Sequence, residues 1–240
     1  MKEFLKRAAL RLGYRLEGVR MTPRQLIEPS LRITLDHAVC KLMFERGEAL
    51  TFLQIGAFDG VSFDPIRKYI ARCGWRGVMV EPQPGPAAKL RELYRDDHRI
   101  RIVQAAVDRT PGERTLYTVQ DDTLPDWLAG SASFDRGHIE KYSDEIPGLA
   151  AAIREHKVPC VTMDTLLEGL DRVDLLQIDT EGADAFMLSL FPFDRFKPAI
   201  VHFELAHLDK ATREEVLGRL EALGYRMAPN GEPDLLAVLD

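Results

Sequence analysis

Four ionisable residues belong to two apolar runs in the second half of the chain. Asp179 and Glu181 come at the end of one run, and His202 and Glu204 lie in the next, where a spacing of two places them on one face of a strand. Since α/β sheets place their chemistry at the carboxyl ends of parallel strands, we expect these side chains to meet. A carboxylate or an imidazole there can take the proton of a reacting hydroxyl.

Two further interpretations of these residues stay open. A lone histidine in a strand is more often buried and satisfied by a neighbour than catalytic, and this applies to His202. Two acids and a histidine also have the chemistry of a divalent-metal site. Because their spacing is not diagnostic, we predict no metal. The candidate catalytic residues are Asp179, Glu181 and His202, and Glu204 is a candidate substrate contact.

A glycine turn earlier in the chain predicts a binding site for an adenosine. The apolar run at 52–55 meets Gly56, and Gly60 precedes a helical pattern. Glycine lets the backbone approach a ligand closely. A second apolar run ends in Glu81, whose two oxygens suit the two hydroxyls of a ribose. The first half of a nucleotide-binding sheet has this order of strand, glycine turn, helix, strand and carboxylate. The alternative is that residues 56–60 form only a tight turn between a strand and a helix.

The spacing of the glycines favours a cofactor without phosphate. The turn reads Gly-Ala-Phe-Asp-Gly at 56–60, so it lacks the middle glycine of a dinucleotide site, and the chain has no G-x-x-x-x-G-K-[ST] motif. S-adenosylmethionine, with a cationic amino group and sulfonium, fits this pattern. We expect Gly56, Ala57 and Gly60 to line the cofactor. Asp59 either faces the methionine moiety or caps the following helix.

Composition and charge predict a globular protein with an acidic body. The chain has 240 residues, 45% of them apolar, and a net charge of −6. Residues 1–24 contain seven basic and two acidic residues, so the remainder carries −11. We interpret this basic segment as a docking helix, with weak contact to an anionic membrane surface as the alternative, and expect no nucleic-acid partner. Three separated cysteines and the lack of a transmembrane run predict a cytoplasmic location.

Hydrophobic periodicity predicts alternating strands and helices. We expect strands at 51–55, 77–81, 100–107, 113–119, 158–161, 173–179, 199–205, 225–228 and 235–239, and helices at 1–15, 34–47, 63–73, 87–94, 163–170, 183–190 and 212–223. The last two strands should form an antiparallel hairpin. This order predicts an α/β three-layer sandwich, with an N-terminal helical extension at 1–48 and a cofactor-binding domain at 49–240.

Several spaced motifs together resemble the FkbM-type S-adenosylmethionine-dependent methyltransferases. They are Leu-Gln-Ile-Gly-Ala-Phe-Asp-Gly at 53–60, Val-Glu-Pro at 80–82, Gln-Ala-Ala-Val at 104–107, Val-Thr-Met-Asp-Thr-Leu-Leu at 161–167 and Leu-Leu-Gln-Ile-Asp-Thr-Glu-Gly-Ala-Asp at 175–184. The resemblance implies a class I methyltransferase (Rossmann-like) fold, whose seven-stranded, mostly parallel sheet has the order 3-2-1-4-5-7-6. It also implies that Gln104 and Ala105 border the adenine, and that Ser131, Ser133 and Phe134 lie on the substrate side.

The chain departs from the pattern of this family at three positions. The family often has an acid where Gln54 stands, an asparagine where Phe58 stands and a lysine where Gln177 stands. Gln54 can still accept a hydrogen bond from the methionine amino group, but it brings no negative charge. The sequence therefore leaves open whether a negative charge faces the methionine amino group.

These observations predict an enzyme that transfers a methyl group to a hydroxyl of a sugar, a glycan or a related polyhydroxy metabolite. The polar segment 131–138 suits such an acceptor, unless it is a solvated connector. A noncatalytic adenosine-cofactor-binding protein is the alternative. An NAD(P)-dependent oxidoreductase is less favoured, because no Tyr-x-x-x-Lys pair accompanies the glycine turn. The identity of the acceptor and the oligomeric state stay open.

Overall fold

The computed structural model describes residues 34–239, except for 122, 126, 127, 129 and 230–233. The helix expected at 1–15 and the basic segment at 1–24 lie outside the described residues, and the division at residue 48 stays a prediction. Within the described part of the chain, no helix combines the length and the apolar character needed to cross a membrane.

Helices and strands alternate along most of the described chain. The helices are α1 Leu35–Arg46, α2 Arg67–Cys73, α3 Pro84–Leu93, α4 Arg136–Glu140, α5 Leu149–Ala152, α6 Met163–Leu167, α7 Asp184–Leu190 and α8 Lys210–Ala222. The strands are β1 Thr51–Ile55, β2 Arg76–Val80, β3 Ile100–Val103, β4 Ala106–Val107, β5 Gly112–Val119, β6 Ile153–Val161, β7 Leu175–Ile178, β8 Ile200–Glu204, β9 Arg226–Pro229 and β10 Asp234–Val238.

The main sheet has seven strands in the order β3-β2-β1-β7-β8-β10-β9. Neighbouring strands from β3 to β8 are parallel, whereas β10 runs antiparallel to both β8 and β9. Counting only the strands of this sheet, the order is 3-2-1-4-5-7-6, and the expected class I architecture with its C-terminal hairpin is confirmed. The carboxyl ends of β2, β1, β7 and β8 therefore lie side by side at one edge.

The single strand predicted at 100–107 is in fact two strands in two sheets. β3 pairs with β2 in the main sheet, whereas β4 pairs with β6 in a smaller sheet of order β4-β6-β5. Gln104 and Ala105 form the step between them. One continuous strand cannot pair with β2 in the main sheet and with β6 in the smaller sheet. The local sequence pattern does not show which strands are its partners.

Strand β6 is longer than the short extended segment predicted at 158–161. It pairs antiparallel with β5 along the whole of that strand, from Val119 opposite Ile153 to Gly112 opposite Cys160. The first half of β6 is charged and exposed, so its hydrophobic alternation is weak. Pairing with β5, rather than burial, defines this part of the strand.

Burial on both faces explains why the central strands are almost entirely apolar. All five residues of β1 and all four of β7 are buried. Phe52 packs on one face with Trp75 and with Val39 of α1, whereas Leu53 and Ile55 belong to the cluster on the opposite face. The alternation of β1 thus joins two helical layers through one sheet.

A buried carboxylate fixes the start of β7 beside β1. Asp174 has no exposed surface and accepts a hydrogen bond from the Thr51 amide at 2.8 Å. It also forms ion pairs with Arg46 at 2.8 Å and Arg172 at 2.9 Å. The two arginines offset the cost of burying the charge. Because β1 and β7 begin together, they also end together, at the edge that follows Gly56.

His202 lies in the interior of β8, where it is only 2% exposed. Its Nδ1 is 2.7 Å from Oε1 of Gln177 on β7, so the imidazole donates this hydrogen bond. Burial lowers the pKa of His202 to about 4. The ring is therefore neutral at pH 7, and the 3.7 Å approach of Nε2 to Asp234 is not an ion pair at that pH.

We predict that His202 makes the protein less stable as the pH falls through its buried pKa. Between pH 6.5 and about 4 the unfolded state takes up a proton that the native imidazole refuses, so the free energy of unfolding decreases by up to about 1.4 kcal/mol per pH unit. Above pH 6.5 the imidazole is neutral in both states and this dependence vanishes. Urea unfolding from pH 4 to 8 measures it.

The matched variants are His202→Gln, which keeps an amide donor toward Gln177, and His98→Gln at an exposed histidine. His202→Gln should flatten the stability profile below pH 6.5 relative to the wild type, and His98→Gln should not. Parallel profiles for wild type and His202→Gln would contradict the buried neutral imidazole.

Candidate functional site

The turn after β1 brings two backbone segments into direct contact. Gly56 has φ +83°, and a Cβ at this position would lie 1.6 Å from the carbonyl oxygen of Asp179. No side chain fits in that space. The amides of Gly56 and Ala57 both donate to the carbonyl of Val80, at 2.9 and 3.0 Å. The ends of β1, β2 and β7 are thereby held together around one glycine.

Glu81 follows β2 and is turned toward the same loop. It is 3% exposed, and its two oxygens accept hydrogen bonds from the amides of Phe58 at 2.9 Å and Gln83 at 2.8 Å. Burial raises the pKa of Glu81 to about 7, against the lowering effect of the two amides. Each carboxylate oxygen accepts more than one hydrogen bond, so both keep capacity for a ligand hydroxyl.

Three residues around the site have a left-handed backbone although they are not glycine. They are Phe58 with φ +45°, Phe63 with φ +59° and Glu181 with φ +52°. Such conformations cost on the order of 1–3 kcal/mol each and concentrate at functional sites. Asparagine tolerates this conformation better than phenylalanine, which gives a physical meaning to the departure from the family pattern at Phe58.

Two adjoining cavities open at this edge of the sheet. The first, the Phe186 cavity, has a volume of about 490 Å³, and Val80, Ala105, Phe134 and Phe186 form part of its wall. The second, the Gln54 cavity, has a volume of about 650 Å³ and extends between β1 and β8. Both cavities are lined by Gly56, Glu81, His138, Asp179, Glu181 and His207.

Two residues that line the Gln54 cavity each have a buried polar atom without a hydrogen-bond partner, Oε1 of Gln54 and Oδ2 of Asp64. The other oxygen of Asp64 accepts from the amides of Ile66 and Arg67, at 2.8 and 2.9 Å, and so starts α2. Burial raises the pKa of Asp64, although these amides and the adjacent Gln54 side chain lower it. An unpaired buried acceptor costs about 1–3 kcal/mol, so these atoms mark a place for a donor.

Three carboxylates and two imidazoles converge where the cavities meet. His207 Nε2 lies 3.4 Å from Oε2 of Glu181 and 3.5 Å from Oε2 of Glu204. The rings of His138 and His207 meet edge to face, with their centroids 4.7 Å apart. Asp179 adds the third carboxylate, and this residue is exposed and lines both cavities.

This crowding shifts the acid–base properties of the group. Desolvation, followed by repulsion from neighbouring carboxylates, raises the pKa of Asp179, Glu181 and Glu204 to about 7 each. Desolvation lowers the pKa of His138 and His207. Both imidazoles are therefore neutral at pH 7, and the negative charge of the carboxylates is not balanced by imidazolium.

The predicted cofactor residues are partly brought together. Gln54, Ala57 and Ala105 line the cavities, but Gln104 lines neither. Asp59 also lies outside both: its carboxylate accepts from the amides of Val61 and Ser62, at 2.9 and 2.7 Å. It closes the turn ahead of α2, and Asp64 accepts from the amides of Ile66 and Arg67 where that helix begins.

The predicted substrate residues lie along one wall of the site. Ser133 and Phe134 line the Phe186 cavity, and Ser131 and Glu204 line the Gln54 cavity. Ser133 exchanges two backbone hydrogen bonds with Tyr117 of β5, at 2.8 and 3.0 Å, which attaches this segment to the smaller sheet. His202 is the exception among the predicted catalytic residues, because it lines neither cavity and bonds to Gln177 instead.

Asp64 and His207 belong to the site, but periodicity does not identify them. Asp64 precedes Pro65 at the start of a helix, which reads as an ordinary cap. His207 comes three residues after Glu204, beyond the end of β8. In the sequence, the only indication of a role for His207 was its position close to Glu204, a predicted site residue.

Comparison with known proteins identifies the family. Residues 54–227 match the family model described as the methyltransferase FkbM domain. No curated protein matches the sequence. Among solved structures, the chain is similar to methyltransferase FkbM from Methylobacillus flagellatus KT, with 13% identity over 80% of this chain and 44% of that chain and a TM-score of 0.47. It is also similar to an O-methyltransferase from Bacillus cereus, with 12% identity over 99% and 89% of the two chains and a TM-score of 0.38.

The matched region contains the glycine turn, Glu81 and the acids that follow β7. The glycine turn, the carboxylate after β2 and the strand order also agree with the arrangement implied by the sequence motifs. The oxidoreductase alternative is thereby set aside. The chain belongs to the FkbM methyltransferase family and is an S-adenosylmethionine-dependent methyltransferase.

Proposed function

We propose that this methyltransferase modifies a hydroxyl of a sugar, a glycan or a related polyhydroxy metabolite. The observation that carries the proposal is the convergence of Asp179, Glu181, Glu204 and His207 beside Gly56, where the two cavities meet. Carboxylates and imidazoles hydrogen-bond to hydroxyls and accept their protons. An alcohol acceptor needs hydrogen bonds that orient its hydroxyl and a group that takes the hydroxyl proton.

The residues of the two cavities fit S-adenosylmethionine. Glu81 presents both carboxylate oxygens for a ribose diol, and the apolar wall of the Phe186 cavity suits an adenine. Gln54 Oε1 and Asp64 Oδ2 are buried acceptors that lack the donor a methionine ammonium would supply. In this assignment Asp64, from the start of α2, provides the negative charge that Gln54 does not.

Asp179 is the residue we assign as general base. S-adenosylmethionine supplies a methyl carbon made electrophilic by its sulfonium. Asp179 adjoins Gly56, and its carboxylate opens onto the cavities, so it is placed to receive the proton of an acceptor hydroxyl. Glu204 is placed to accept hydrogen bonds from further hydroxyls, which would orient the acceptor.

The segment 131–138 supports a polyhydroxy acceptor. Ser131, Phe134 and His138 line the cavities opposite the ends of β7 and β8. Arg114 lies over the ring of Phe134, with its guanidinium carbon 4.3 Å from the ring centroid. Hydroxyl and imidazole groups beside a held aromatic ring suit an acceptor that is polar at its edges and apolar on its ring faces.

Asp64→Asn should selectively weaken ligands that carry the methionine ammonium. Asparagine keeps an oxygen to cap α2 but loses the charge, so affinity for S-adenosylmethionine should fall about 10- to 150-fold, the range for hydrogen bonds to charged groups. Affinity for 5′-methylthioadenosine, which has no amino-acid moiety, should not change. Isothermal titration calorimetry with both ligands measures this difference.

Glu81→Gln and Asp171→Asn are the matched comparisons. Glu81→Gln should weaken both ligands by a similar factor, since both contain the ribose, whereas Asp171→Asn, at an exposed position, should affect neither. Equal losses of the two ligands in a folded Asp64→Asn variant would remove Asp64 from the ammonium site.

Asp179→Asn should reduce turnover by about 10²–10⁴-fold, the usual value of general-base assistance. The variant should still bind S-adenosylmethionine, because the Gly56 contact uses the backbone carbonyl of residue 179. Near-normal turnover would place the base elsewhere in the cluster.

The acceptor is sought by incubating the full chain with S-adenosylmethionine and a panel of nucleotide sugars, free sugars and glycans. Release of S-adenosylhomocysteine, together with an acceptor heavier by one CH₂ on oxygen, is the expected result. Methylation on nitrogen or carbon alone would overturn the proposed acceptor class. Tight cofactor binding without transfer to any member of a broad panel would favour the noncatalytic alternative.

A further inference from the structure

We propose that His138, Glu181 and His207 form a binding site for a divalent transition-metal ion at the junction of the two cavities. One ligand atom from each of these side chains lies within 4.8 Å of the other two. The side chain of Glu204 adds a second carboxylate, 3.5 Å from Nε2 of His207.

The distances from His207 to Glu181 and to Glu204 are those of a coordination shell. A metal ion about 2.1 Å from each donor holds neighbouring donors about 3.0–3.5 Å apart in octahedral or tetrahedral geometry. Nε2 of His207 is 3.4 Å from Glu181 and 3.5 Å from Glu204. The ring of His138 meets that of His207 edge to face at 4.7 Å between centroids, and one of its nitrogens lies within 4.8 Å of the ligand atoms of Glu181 and His207.

Three separate chain segments deliver the three side chains. His138 lies in α4, Glu181 in the turn after β7, and His207 in the turn after β8. Gly182 lies close to both histidines, and a Cβ there would be 3.4 Å from Cβ of His207 and 3.5 Å from Cε1 of His138. The side chains of Glu181, His207 and Glu204 are 31%, 19% and 15% exposed, so the group is recessed rather than scattered over the surface.

The charge of the cluster also favours a cation. Asp179, Glu181 and Glu204 converge here, and among the described residues neither Glu181 nor Glu204 forms an ion pair with a lysine or an arginine. Lys141 acts on both glutamates only through space. A bound divalent ion would neutralise this excess at its source.

The donor set selects the class of metal. Two imidazole nitrogens with a carboxylate suit Mn²⁺, Fe²⁺, Co²⁺ or Zn²⁺, whereas Mg²⁺ and Ca²⁺ prefer shells made of oxygen. Three protein donors leave one position open in tetrahedral geometry, and four leave two positions open in octahedral geometry. A hydroxyl oxygen of the acceptor is the occupant we assign to an open position, and this role rests on the proposed function.

Titration of the chelator-treated full chain with Co²⁺ tests the site. We expect one Co²⁺ per chain and visible absorption bands from cobalt in a shell containing imidazole. His138→Ala and His207→Ala should each weaken Co²⁺ about 100-fold or more, because even an outer-shell change costs 10- to 100-fold. His98→Ala, at an exposed histidine, should bind as the wild type does.

Two results would overturn the site: no stoichiometric Co²⁺ in the wild type, or unchanged affinity and spectrum in the His138 and His207 variants. Binding of S-adenosylmethionine checks that each variant is folded, and His207→Gln replaces the alanine variant if it is not. Binding of Co²⁺ without methyl transfer to any hydroxyl would sustain the site and overturn the proposed function. Methyl transfer to a hydroxyl by a protein that binds no metal would overturn the metal site and sustain the proposed function.

Discussion

At the carboxyl edge of the main sheet, Gly56 lies so close to Asp179 that a Cβ would stand 1.6 Å from the carbonyl oxygen. This contact is possible only for glycine, and it joins the turn after β1 to the end of β7. The amides of Gly56 and Ala57 bind the carbonyl of Val80, which adds β2 to the same junction. Three strands therefore end at one point, and the side chains that follow them are placed within a few ångströms of each other.

The cofactor end and the acid-rich end of the site are consequences of this junction. Glu81 comes directly after β2 and is held by two backbone amides, so its carboxylate has one orientation. Asp179 comes directly after β7. Asp64 comes from the turn before α2 rather than from a strand, yet it lines the same cavity as Gln54. In the assignment proposed above, a neutral residue on β1 and a charged one just before α2 together take the place of the single acid that the family pattern puts on the strand.

The site also contains several features that lower the stability of the folded protein. Phe58 and Glu181 have left-handed backbones, and Gln54 and Asp64 keep buried oxygens unpaired. Desolvation, followed by repulsion among the carboxylates at the ends of β7 and β8, raises the pKa values of Asp179, Glu181 and Glu204 to about 7. Outside the site, buried polar side chains have partners within the protein. Asp174 is paired with two arginines and a backbone amide, and His202 forms a hydrogen bond with Gln177. Ligands, rather than the protein, are the missing partners at the site.

The sequence by itself determined the fold class and the turn at Gly56, because burial on both faces and the absence of a side chain leave direct marks in local patterns. The order of the strands was implied by the resemblance of its motifs to the FkbM family. The sequence also determined that Glu81 and Asp179 follow strands at one edge. Only the tertiary structure decided that residues 100–107 divide between two sheets, that His202 turns to Gln177 rather than into the site, and that His138 and His207 meet at Glu181. These outcomes depend on partners distant in the chain, and a local pattern records whether a residue is buried but not which residue it contacts.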